Sequence, residues 1–103
     1  MRREEGAIGY RHQRLTDVFG EELRGIFLHE VQDPRLAEVT VSAVELSVDY
    51  RNVRVHVAVR SKSTKREVEA SLERSTAFIR RRLGEAIDMK RIPDIRFVVD
   101  SLV

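Results

Sequence analysis

The segment VRVHVAVR, Val53 to Arg60, constrains the fold more than any other part of this chain. It places valine at 53, 55, 57 and 59, and successive side chains of a strand point to opposite faces. One face is then apolar and the other polar. A register slip of one residue would turn all four valines to water. The segment reads as a half-buried strand, and another part of the chain must supply the layer that covers its valine face.

A partner strand precedes it. VTVSAVELSV, Val39 to Val48, alternates as Val39, Val41 and Ala43, then shifts phase to Val44, Leu46 and Val48. A one-residue phase shift predicts a bulge or a strong twist. The polar DYRN between the two runs predicts a turn, and so a hairpin. A third, short strand is expected at DIRFVVD, Asp94 to Asp100, with Ile95, Phe97 and Val99 on one face.

The covering layer is helical. Leu15, Val18, Phe19, Leu23, Ile26, Phe27 and Val31 keep the three-four spacing of an amphipathic helix, which Pro34 must stop. Residues 1–9 read as a flexible tail ahead of it. Thr64 and Glu67 fit a capping box that opens a second helical region. There Val68, Leu72, Thr76, Ile79, Leu83, Ala86 and Ile87 share one arc, while Phe78 lies outside it. The polar RSTA and the misplaced phenylalanine predict a break at Ser75, Thr76 and Ala77. The expected fold is a single α+β domain over residues 10–103, ordered helix, strand, strand, helix, kink, helix, strand. A three-stranded sheet is covered on one face by the helices.

Function classes fall away quickly. The chain has no cysteine, which excludes disulfides, thiolate metal sites and a cysteine nucleophile. His12, His29 and His56 are scattered, no H-E-x-x-H or phosphate-loop motif occurs, and no metal or cofactor is expected. His56, on the polar phase of its strand, is expected to be simply exposed. GAIG, Gly6 to Gly9, matches the G-x-x-G with which KH domains clamp nucleic acid, but it falls in the tail rather than between helices. Phe19, Phe27 and Phe97 fall on apolar faces, whereas Tyr50 and Phe78 could be exposed. No run approaches the length of a membrane span and the N-terminus has no apolar signal region, so a cytoplasmic protein is expected. An enzyme is not.

What remains is charge. The net charge is only +2, a weak sign of a nucleic-acid partner. Its distribution is more telling, because Arg80, Arg81 and Arg82 stand together in the second helical region, followed by Lys90 and Arg91. On the helical wheel Arg80 and Arg82 flank the apolar arc and Arg81 points away, so all three can reach solvent. Arginine offers bidentate geometry for phosphate, and the cluster is expected to serve binding more than stability. The alternative is a solvated face partly neutralised by Glu85 and Asp88.

With QDPRL in view, the chain resembles the ribosome-binding factor A family. The resemblance spans Arg11 to Asp100. Its marks are Arg11 and Arg14 opening the first helix, DPRL at Asp33 to Leu36, and VTVSAVELSVDYRNVRVHV with Asp49. FIRRRLGEAI with Phe78, Arg80, Leu83 and Gly84, and IPDIRFVVD with Pro93, Arg96, Phe97 and Asp100, complete them. No one of these is specific; four in order, at matching spacing, are.

The resemblance implies a type II KH-like fold without the G-x-x-G loop. It also implies an interhelical kink, usually Ala-x-Gly, at the positions held here by Ser75, Thr76 and Ala77. Further, it implies a small-subunit maturation factor, monomeric when free, that binds the immature subunit and its ribosomal RNA during late assembly and rRNA processing. The RNA contacts expected on that basis are Arg80, Arg81, Arg82, Lys90 and Arg91, joined by Arg11, Arg14 and Arg35. The second hypothesis is a protein-interaction module without RNA contact, marked by an exposed Phe78.

Overall fold

A computed structural model describes residues 3–103. Its elements are helix α1 (Arg3–His29), a 3-10 turn (Pro34–Leu36), strands β1 (Glu38–Leu46) and β2 (Asn52–Arg60), helix α2 (Lys65–Ala86) and strand β3 (Asp94–Leu102). The sheet order is β1-β2-β3. β2 lies antiparallel to β1 and parallel to β3, so α2 is the crossover that a parallel pair requires.

The valine pattern places β2 at the centre. Val53, Val55, Val57 and Val59 are all at most 2% exposed, and full burial of such a side chain stabilises by roughly 1.5–3 kcal/mol. The covering layer brings Phe19, Leu23, Ile26 and Phe27 from α1 and Val68, Leu72, Ile79 and Leu83 from α2, all buried. α1 lies chiefly over β1 and α2 over β3. The phase shift in β1 is a register shift between Val41 and Ala43. Val48, expected to continue that strand, lies beyond it and is exposed.

The helix boundaries need two corrections. α1 already runs from Arg3, so positions 3–9, expected as a tail, are helical; residues 1–2 of that expected tail lie outside the described residues. Gly6 to Gly9 therefore sits inside a helix. α2 is one unbroken helix, and the break expected at Ser75, Thr76 and Ala77 is absent. The polar run satisfies itself locally instead. The Thr76 hydroxyl donates to the Leu72 carbonyl at 2.9 Å, and Arg74 donates to Ser71 Oγ at 2.9 Å. Phe78 does lie outside the buried arc, and it is 36% exposed.

The capping box is present in full. The Glu67 amide donates to Thr64 Oγ1 at 3.2 Å, and the Thr64 amide donates to the Glu67 carboxylate at 3.0 Å. DPRL forms a cap of its own. The Asp33 carboxylate accepts from the Arg35 amide at 2.9 Å and Leu36 is fully buried, so the motif both ends the approach from α1 and anchors it in the core.

Candidate nucleic-acid interface

The three consecutive arginines of α2 have three different environments. Arg80 Nε donates to the Pro93 carbonyl at 3.2 Å and a terminal nitrogen donates to the Ile92 carbonyl at 2.8 Å, with Asp94 3.6 Å away. Arg82 pairs with Glu30 at the end of α1 and with Glu85, at 2.5 and 2.7 Å. The Glu30 contact is close but misaligned, because Arg82 Nε is buried without a well-formed hydrogen bond. Arg81 is exposed and has no ion-pair partner among the described residues. The expectation that all three serve binding more than stability does not fit this arrangement, since Arg80 and Arg82 hold parts of the fold together.

Arg80 also explains how Lys90 and Arg91 are presented. Both lie exposed in the loop between α2 and β3. By gripping Ile92 and Pro93, Arg80 ties that loop to the last turns of α2.

Hydrogen bonds bring two of the expected groups to one end of the sheet. The Asp94 amide, three residues after Arg91, donates to the Arg51 carbonyl at 2.9 Å in the turn between β1 and β2. His12, next to Arg11, reaches the Leu46 carbonyl at the end of β1 at 2.7 Å. Arg11 and Arg14 thus share an end with Lys90 and Arg91. Arg14 lies over the Tyr10 ring, 5.9 Å from its centroid, and donates to its hydroxyl at 3.3 Å. Arg35 belongs to the opposite end, just before β1, and sits 3.5 Å from Asp33.

Sequence reasoning missed several features. Arg51 is exposed in the hairpin turn with no ion-pair partner among the described residues, and joins the cationic end; its position in DYRN was the available signal. Tyr50, a candidate for exposure, is half-buried against the core at φ 61° and packs on His12 with ring centroids 5.7 Å apart. Ser47 and Asp49 brace that left-handed turn by accepting the Arg51 amide at 3.2 and 3.1 Å.

His56 is not simply exposed. Its two ring nitrogens lie 2.5 Å from the Glu45 carboxylate on β1 and 2.9 Å from that of Asp100 on β3. The Glu45 bond is the largest influence and raises its pKa above the ordinary histidine value; burial opposes it, and the Asp100 bond and both charges add to the rise. No sequence signal links residues so far apart. Among the described residues, no group of three or more histidine, aspartate or glutamate side chains is placed to hold a metal ion.

These features define a two-layer α+β fold in which exposed Arg51, Lys90 and Arg91 stand with Arg11 and Arg14 at one end of the sheet, while exposed Arg35, Arg60, Lys62, Lys65 and Arg66 stand toward the other. The family model for ribosome-binding factor A matches residues 11–103, and the chain belongs to that family. Ribosome-binding factor A of Dechloromonas aromatica is 33% identical over 93 residues, covering 90% of this chain and 76% of its own. A Thermotoga maritima protein solved in solution is 32% identical with a TM-score of 0.74, covering 89% of each chain. Coordinates of Thermus thermophilus ribosome-binding factor A, fitted into a cryo-EM map of its 30S complex, are 26% identical with a TM-score of 0.60. They cover 85% of this chain and 89% of that one.

Proposed function

We propose that this protein is a maturation factor that binds the immature small ribosomal subunit during late assembly and rRNA processing, and that it touches ribosomal RNA through its cationic end. We read the fold as a KH-like domain of the helix-first type, acting as a monomer in the cytoplasm. The observation that carries the RNA contact is the gathering of exposed Arg91, Lys90 and Arg51 at one end of the sheet, with Arg80 fixing the loop that presents the first two. Arg81 lies on the exposed side of α2, near that loop in sequence. Arg80 and Arg82 are then positioning residues rather than phosphate contacts. Arg11 and Arg14 extend the same end, and Arg35 stands apart from it.

Cations that neutralise phosphates release condensed counterions, so log affinity falls linearly with log salt. Three or four such contacts give a slope of about −2 to −4. The test is binding of the purified protein to small subunits across a salt series. Arg91→Ala should make the slope shallower by about one unit. A wild-type slope near zero would overturn RNA contact and favour the protein-interaction module, for which the exposed Phe78 is the specific support.

A further inference from the structure

Away from the cationic end, a groove of about 730 Å³ runs between the middle of α2 and the segment that leaves α1. Phe78 lies in it, 36% exposed and flanked one helical turn away on each side by Arg74 and Arg82. The two arginines are about 12 Å apart along the helix axis. Each is tied across the groove, Arg82 to Glu30 and Arg74, more loosely at 4.0 Å, to Asp33. Gln32 lines the same wall. We propose that this groove takes one unpaired nucleotide of the ribosomal RNA, with its base stacked on Phe78. The proposal rests on the RNA-binding function above and adds a place and a mode of recognition to it.

The chemistry favours a base over a phosphate inside the groove. Arg74 and Arg82 are balanced by Glu30 and Asp33, so the groove is polar yet close to neutral. Guanidinium and carboxamide donors alternate there with carboxylate and carboxamide acceptors, which is what the edge of a nucleobase requires. Sequence-tolerant recognition of single-stranded RNA works by stacking bases on aromatic rings and guanidinium planes, with hydrogen bonds to their edges. Arg74 has a side chain 61% exposed and its Asp33 contact is long, while its 2.9 Å bond to Ser71 Oγ holds the guanidinium at the edge of the groove. An apolar side chain from a protein partner would make no use of the polar Gln32, Asp33 and Arg74 that line the groove.

The chain has no tryptophan, so Phe78→Trp installs a single fluorophore in the groove. A short oligoadenylate should quench its emission, while inorganic polyphosphate, which carries phosphates and no bases, should not. Phe78→Ala should weaken oligoadenylate binding about ten- to a hundredfold, and Phe78→Trp should retain it. Denaturant unfolding of both variants checks that neither effect is loss of fold. Normal oligoadenylate binding by Phe78→Ala with no quenching in Phe78→Trp would overturn the groove while leaving RNA contact at the cationic end intact. If Phe78→Ala weakened subunit binding with no oligonucleotide effect, the groove would hold a protein side chain and the proposal would also fail. Failure of the RNA-binding function itself reads differently, as a flat salt dependence of wild-type binding to subunits.

Discussion

At the residue scale the arginine cluster separates into a clasp, a strut and an exposed charge. Periodicity could place the three side chains around the helix, and did so correctly. It could not show what they meet, because Glu30, Ile92 and Pro93 come from other parts of the chain. The partition is measurable. Arg80→Ala should destabilise by about 1–2 kcal/mol, the usual value of charge-assisted hydrogen bonds to backbone carbonyls that stay partly solvated. Arg81→Ala should stay within about 0.5 kcal/mol of wild type, with its effect confined to subunit affinity; urea unfolding of each variant decides. His56 supplies a pH dependence. Its pKa is raised in the folded state, so its contribution is complete below the unfolded value of about 6.5 and is lost as pH rises through the folded one. The wild type should therefore lose stability as pH rises from about 6 to 8, and His56→Gln should flatten that limb. Arg54, 3.8 Å from Glu45 on the same sheet face, competes for one carboxylate without reversing the sign. A wild-type unfolding midpoint that did not fall over this range would contradict the bridged geometry.

At the scale of elements, most of what was legible came from patterns that repeat within a few residues. The alternating valines of β2, the phase shift in β1 and the capping box of α2 all have the form read from the sequence. The absence of the expected break has a physical reason. Within RSTA the Thr76 hydroxyl turns back onto the Leu72 carbonyl one turn earlier and Arg74 donates to Ser71, bonds that a continuing helix accommodates even though the first can bend it. α1 begins earlier than apolar spacing alone could indicate, because the first residues carry no stripe. The unbroken helix can be tested by installing the family's usual small residue. Ala77 is exposed in the interior of α2, so Ala77→Gly should cost about 1 kcal/mol, as glycine does in a regular helix. Little or no loss, measured by denaturant titration, would mean that the backbone bends there in solution. Thr64→Ala should likewise cost about 1 kcal/mol by removing half of the capping box, measured in the same way.

At the scale of the whole molecule, the central strand meets its two neighbours on different schedules. β1 is joined to β2 through the short turn at 47–51, whereas β3 waits for everything between 61 and 93. Closing the longer connection costs about 1.7 kcal/mol more in chain entropy if both are treated as flexible loops. Hairpins form in microseconds, while non-local parallel pairing is intrinsically slow. β1, β2 and the part of α1 that packs on them should therefore form the folding nucleus, with β3 docking after the barrier. Mutations in β3, such as Val99→Ala, would then accelerate unfolding and leave the folding rate nearly unchanged, while Val55→Ala in β2 would slow folding. Stopped-flow kinetics on the two variants reads the order of assembly directly, and equal effects on both folding rates would mean that the crossover is made before the barrier.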